Sequence, residues 1–122
     1  HAARVATLNR EHDKLRSQVY SLLPWPPAAA TLRALDTSAD LGSLSFLAAR
    51  TLADLGHVEA TREAIGHMAA PLHAWEAQLN LTERWLRSGE VIAYATEQRE
   101  REAEEERIRK TTEALSLNLP AA

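Results

Sequence analysis

The chain has 122 residues, enough for one domain of ordinary size, and a formal net charge of −3. Ala (23) and Leu (18) dominate its apolar residues, whereas Val, Ile and Phe together contribute only eight. Because strands favour β-branched and aromatic residues, this composition excludes most sheet folds and predicts an all-α protein. The lack of cysteine excludes disulfides and thiolate chemistry, and the balanced charge gives no overall attraction to nucleic acid or anionic lipid.

The first predicted helix covers about residues 2–23. Its apolar stripe follows alternating steps of three and four residues: Val5, Leu8, His12, Leu15, Val19 and Leu22. This heptad spacing predicts a helix that packs along one face. Since Pro24 disfavours a helical Leu23, we expect the helix to stop there and a Pro-rich corner to occupy 24–27. Trp25 is expected to fold back over the end of the bundle, with an anchor for a partner as the alternative.

Three more helices are predicted in the middle of the chain: a short one at about 28–35, one at 43–69 and one at 71–88. We expect the cap-rich run 36–40 to separate the first two, with Ser43 favoured over Asp40 as the next N-cap. The stripe that defines 43–69 is Leu44, Leu47 (or Ala48), Leu52, Leu55, Val58, Ile65, Met68 and Leu72.

Two glycines and a proline leave the boundaries of these helices open. Gly56 and Gly66 each cost a helix about 1 kcal/mol relative to Ala, and we expect a continuous or gently kinked helix across them. A true break at Gly56 is the alternative. Pro71 is expected to kink a helix or to begin a new one. The stripe that follows is Leu72, Trp75, Leu79, Thr82 and Leu86.

The last predicted helix covers about 90–117 and is almost wholly charged between residues 97 and 110. Oppositely charged residues four apart should keep it helical in water. We expect one helical domain over 1–119, followed by a frayed tail at 120–122. The fold class is therefore an antiparallel bundle of three to five helices with coiled-coil-like seams and a charged C-terminal helix.

Candidate metal ligands are sparse. Glu63 with His67, and His73 with Glu76, have spacings that place each pair on one helix face, but neither reproduces the Glu-x-x-His pattern of dinuclear bundles. We therefore expect no cofactor, and histidines that are exposed or near helix ends. His12 occupies a core position of its stripe. We expect it at the edge of the packed face with one nitrogen in water, with a buried register-setting or pH-sensing imidazole as the alternative.

Other chemical motifs are also weak. There is no nucleophile elbow and no glycine-rich phosphate loop, so we expect no enzymatic activity. Residues 47–68 superficially resemble a helix-turn-helix around Gly56, but Leu52 and Arg62 occupy positions that should be small and apolar, respectively. An arginine-rich composition indicates a bacterial source. No secretory leader is visible, so a cytoplasmic location is expected. The chain begins at His1 and is expected to be a piece of a longer protein.

These observations predict a non-enzymatic helical module for protein–protein interaction or assembly that forms a homodimer or binds another helical protein. The expected partner-binding residues are Trp25, Trp85, Tyr94 and Ile108. Trp75 is expected to anchor either the core or an interface. Two alternatives stay open: a nucleic-acid-associated accessory protein of a plasmid or phage, and a bundle that binds a metal or small molecule through Glu63, His67, His73 and Glu76.

Overall fold

The computed structural model describes residues 1–117, which form four α-helices and no β-strand. The helices are α1 (Ala2–Tyr20), α2 (Pro26–Asp54), α3 (Val58–Leu86) and α4 (Gly89–Leu117). Helices α1, α2 and α3 pack against one another as an antiparallel bundle, which confirms the predicted fold class. Over the residues described, no helix has both the length and the apolar character that crossing a membrane requires.

The chain divides into two compact units, His1–Leu86, which holds the three-helix bundle, and Arg87–Ala122, which holds α4. The structure thus divides a range, 1–119, that the sequence treats as one domain. The predicted tail at 120–122 lies outside the described residues.

The core of the bundle follows the predicted stripes of α1 and α3. The buried residues of α1 are Val5, Leu8, His12, Leu15 and Val19, and those of α3 are Met68, Leu72, Trp75, Leu79 and Thr82. Trp75 is completely buried and is the largest side chain in the core. Both predicted stripes are confirmed, because heptad spacing keeps each set of side chains on one helix face.

Helix α1 ends at Tyr20, earlier than the predicted 23. The Leu22 N–H donates to the Val19 carbonyl (3.0 Å), and the Leu23 N–H donates to that of Tyr20 (3.1 Å), so the chain tightens into a turn. The predicted corner at 24–27 is also too long, because α2 already begins at Pro26. Proline suits a first helical turn, which needs no N–H donor and accepts its fixed φ.

The predicted division of α2 into a helix at 28–35 and another from 43 is wrong. The helix runs without interruption through the junction at 36–40, and Ser43 lies inside it rather than at a cap. Gly42 is buried, and a Cβ atom there would lie 2.6 Å from Cε3 of Trp75. Gly42 is therefore a point of close contact between helices and does not end one.

The predicted continuous helix 43–69 is wrong as well, because the chain turns at Gly56. This glycine has a φ of +77°, which only glycine adopts at little cost. Its N–H donates to the Ala53 carbonyl (3.0 Å), and the His57 N–H donates to the Leu52 carbonyl (3.1 Å). Together these bonds form the Schellman arrangement that closes α2.

Pro71 neither starts nor ends a helix, so the predicted helix 71–88 is wrong at its beginning. Helix α3 passes through Pro71 and also through Gly66. An internal proline costs about 3 kcal/mol. Met68 and Leu72, on either side of Pro71, are both fully buried, and their packing offsets that cost. The last helix begins at Gly89, one residue before the predicted start, and extends to the predicted end at Leu117.

Candidate interaction surface

The four candidate metal ligands do not form a site. His67 Nε2 lies 3.8 Å from Glu63 Oε1, and both side chains are largely exposed. Glu76 instead pairs with Arg4 of α1, at 3.2 Å. Among residues 1–117, no group of three or more His, Asp or Glu side chains is arranged to hold a metal ion.

A partly buried polar cluster joins α1 to α2. His12 is 8% exposed, and its Nε2 lies 3.2 Å from Asp36 Oδ1. The Arg16 Nε donates to the same carboxylate at 3.1 Å. The expectation that His12 lies at a wet edge is wrong, because its Nδ1 is buried without a hydrogen-bond partner and its ring meets Trp75 edge-on at 6.2 Å. These contacts fix how α1 and α2 align, and they bring no nucleophile to the imidazole.

Two of the predicted partner-binding residues lie together at one end of the bundle. The rings of Trp25 and Trp85 stack with centroids 5.8 Å apart and planes 21° apart. Both side chains are half-buried and pack against the core cluster. Trp25 therefore covers the end of the bundle, as predicted from the sequence. On α4, Tyr94 is half-buried and Ile108 is 57% exposed.

Helix α2 packs into the bundle through one stripe of small and apolar residues, the inner α2 face. Its members are Ala28, Leu32, Leu35, Ala39, Gly42, Phe46 and Ala49. They are spaced by alternating steps of four and three residues. Such spacing places the whole stripe on one side of the helix, which is the side turned toward α1 and α3.

A second stripe with the same spacing runs along α2 two residues further on. We call it the outer α2 face: Ala30, Ala34, Thr37, Leu41, Leu44, Ala48, Thr51 and Leu55. Since each residue turns a helix by about 100°, this offset places the outer face almost opposite the inner one. Leu41, Leu44 and Leu55 are 58%, 61% and 65% exposed. Helix α2 is thus apolar on two opposite sides, and only one of them is covered.

Charged residues avoid the outer α2 face. Helix α2 has five of them: Arg33, Asp36, Asp40, Arg50 and Asp54. Each of the five directly precedes a member of the stripe in the chain, and none belongs to it. The face is about 38 Å long at 1.5 Å per residue. Six of its eight residues are Ala or Leu, and a largely apolar exposed surface on a protein typically marks a binding site for another protein.

A second apolar feature lies where α1 begins. Here His1 and Ala2, together with residues of α2 and α3, line a groove of about 440 Å³. Phe46, Ala49, Ile65 and Met68 line its apolar wall, and Arg50 lies at its edge. The exposed Ile65 belongs to this groove and, like Val58, was part of the stripe from which the sequence predicted helix 43–69.

The sequence reasoning missed the outer α2 face, because the stripe it used for 43–69 mixes residues from different surfaces. Leu44 and Leu55 belong to the outer face, whereas Met68 and Leu72 belong to the core of α3. The signal that could have found the face is the repeat of one heptad pattern at an offset of two residues.

The fold and this surface define a class: a helical bundle that exposes a largely apolar helix face and in which no group of side chains among residues 1–117 is arranged to hold a metal ion. Searches of protein-family models, curated proteins and solved structures give no match to the chain.

Proposed function

We propose that this chain is a non-enzymatic helical interaction module that associates with a second copy of itself through the outer α2 face. The observation that carries the proposal is an uncharged, heptad-spaced stripe on an exposed side of a 29-residue helix. A stripe of this kind gains free energy by packing against another helix, at about 25 cal/mol per Å² of apolar surface removed from water. The bacterial source and cytoplasmic location expected from the sequence belong to this proposal.

A second copy fits this face because the stripe carries no charge that an identical stripe would have to oppose. Two identical stripes related by a two-fold axis bring the same residues together from both chains, so one apolar face satisfies the other. At about 38 Å long, the face is also long enough for the roughly 1,000 Å² of total buried surface that a specific interface needs. Trp25 and Trp85, two of the residues that the sequence predicted to bind a partner, stack on each other within the bundle and are not members of the outer α2 face.

The test is the oligomeric state of the wild-type chain and of Leu44→Asp, measured by sedimentation equilibrium over a hundredfold range of concentration. We expect a wild-type dimer and a Leu44→Asp monomer, because a carboxylate would be buried without a partner in the middle of the interface. Circular dichroism checks that the variant remains helical.

Leu81→Asp is the matched control, since Leu81 is an exposed leucine of α3 (53%) outside the outer α2 face. This variant should remain a dimer. A wild-type chain that is monomeric at every concentration, or a Leu44→Asp chain that dimerises like the wild type, would show that the proposal is wrong.

A further inference from the structure

The two edges of the outer α2 face differ in charge. One edge consists of the residues directly before alternate members of the stripe: Arg33, Asp40, Leu47 and Asp54. The other edge consists of the residues directly after the remaining members: Thr31, Ser38, Ser45 and Leu52. All the charges that border the face are therefore on one side of it. Within the described residues, neither Arg33 nor Asp54 makes an ion pair, and both are exposed.

This asymmetry distinguishes the two ways in which a pair of α2 helices can align. In a parallel pair, each edge lies beside the opposite edge of the other helix, so charged residues would meet Thr, Ser and Leu. In an antiparallel pair, like edges meet. When Leu41 is level with the partner's Leu44, Arg33 lies beside the partner's Asp54. A positive residue near one end then faces a negative residue near the other end, twice in a symmetric dimer.

The stripe itself fits the same antiparallel alignment. The layers would pair Ala30 with the partner's Leu55, Ala34 with the partner's Thr51, Thr37 with the partner's Ala48 and Leu41 with the partner's Leu44. The largest side chain at one end meets the smallest at the other, and the leucines lie together at the centre. A parallel alignment would instead pair Ala30 with Ala30 and Leu55 with Leu55, so the side-chain volume would differ strongly between the layers at the two ends.

From these placements we infer that two copies pair antiparallel along the outer α2 face, with Arg33 of each chain beside the partner's Asp54. The inference rests on the proposed self-association and adds its direction and register. The two bundles would then lie on opposite sides of the paired α2 helices, because the inner α2 face points away from the outer one.

Disulfide trapping tests the direction, and it is clean because the natural chain has no cysteine. Thr37→Cys and Ala48→Cys chains are mixed in equal amounts, oxidised and separated by mass. Antiparallel pairing predicts that the mixed disulfide forms in at least tenfold excess over the Thr37→Cys homodimer. Parallel pairing would bring together the introduced sulfurs of two Thr37→Cys chains, so a dominant Thr37→Cys homodimer would overturn the inference.

Charge reversal tests the register independently. Arg33→Asp and Asp54→Arg should each raise the dimer Kd on the order of tenfold, because each places like charges together at two symmetric positions. The double variant Arg33→Asp/Asp54→Arg should return the Kd to within about threefold of the wild-type value. If the double variant instead shows the summed free-energy losses of the two single variants, Arg33 does not lie beside the partner's Asp54 and the inferred register is wrong.

Asp40→Arg is the matched control for the charge reversals, since Asp40 lies on the same edge but opposite the partner's Leu47. It should not rescue Arg33→Asp. The outcomes separate the two claims. A wild-type chain that is monomeric contradicts the proposed function. If instead the wild-type chain is a dimer and Leu44→Asp dissociates it, but oxidation yields mainly the Thr37→Cys homodimer, only the antiparallel arrangement is contradicted.

Discussion

Helices α2 and α4 each have 29 residues, yet they are built for different surroundings. Five residues of α2 are charged and 13 of α4 are. Helix α2 buries one side in the bundle, whereas Val91 is the single buried residue of α4 among those described. The comparison shows two ways to stabilise a helix of this length: tertiary packing stabilises α2, and local interactions stabilise α4.

Ion pairs within α4 replace the packing that α2 has. Arg101 pairs with Glu97 at 3.2 Å, and Arg109 reaches Glu106 at 2.6 Å and Glu113 at 2.7 Å. The hydrogen bonds that Arg109 donates, first to Glu106 and then to Glu113, raise the pKa of its guanidinium. These pairs connect residues three or four positions apart, so they stabilise helical conformation without any contact from another element.

The largest difference is expected when a side chain is shortened in each helix. Leu35→Ala removes a completely buried side chain from the inner α2 face and should lower the free energy of unfolding of the bundle by about 2–5 kcal/mol. Ile108→Ala, on exposed α4, should change it by less than about 0.5 kcal/mol. Urea denaturation followed by tryptophan fluorescence measures both, since all three tryptophans lie in the bundle unit. Similar losses in the two variants would contradict the comparison.

Glycine substitutions probe how closely the inner α2 face packs. Gly42→Ala should destabilise the bundle by about 1–3 kcal/mol, because the added Cβ would lie 2.6 Å from the fully buried ring of Trp75. Gly66→Ala is the matched control inside α3, where a Cβ meets nothing within 4 Å. It should stabilise the bundle by up to about 1 kcal/mol through helix propensity. Thermal unfolding should therefore shift in opposite directions, and a shift in the same direction would contradict the assigned roles.

Polar contacts across the bundle should matter less than packing. Asp36→Ala removes the carboxylate that joins His12 and Arg16 and should cost about 1 kcal/mol, since the site is only half-buried. Asp40→Ala, one helical turn further along α2, removes an exposed carboxylate with no ion pair in the described part of the chain. It should cost less than about 0.5 kcal/mol. Equal unfolding midpoints in urea would show that the cluster contributes nothing to alignment.

The sequence was sufficient where one periodic stripe governs a whole segment. The buried residues of α1 and of the second half of α3 follow directly from heptad spacing, and the predicted start of the last helix, residue 90, is within one residue of the observed one. These elements were predictable because local periodicity and packing face agree, so no distant residue is needed to interpret them.

The sequence was insufficient where a residue's role depends on what lies across from it. Gly42 and Gly56 look alike in the chain, but Trp75 covers Gly42 while Gly56 adopts a positive φ at a turn. Pro71 was expected to kink a helix or to begin a new one; α3 passes through it, and the fully buried Met68 and Leu72 lie on either side. The outer α2 face was missed for a related reason, since two interleaved stripes on one helix obscure each other in a single pass along the sequence.

The smallest expected effect concerns α4 alone. Arg109→Gln removes the contacts with Glu106 and Glu113 and should speed amide hydrogen exchange of residues 105–113 by about two- to fivefold. Lys110→Gln is the control, because Lys110 makes one longer contact, at 3.9 Å. Added salt should reduce the difference, since exposed pairs are screened. If Arg109→Gln instead lowers the unfolding midpoint of the bundle, α4 is not held by its own ion pairs. The contrast with α2 would then be wrong.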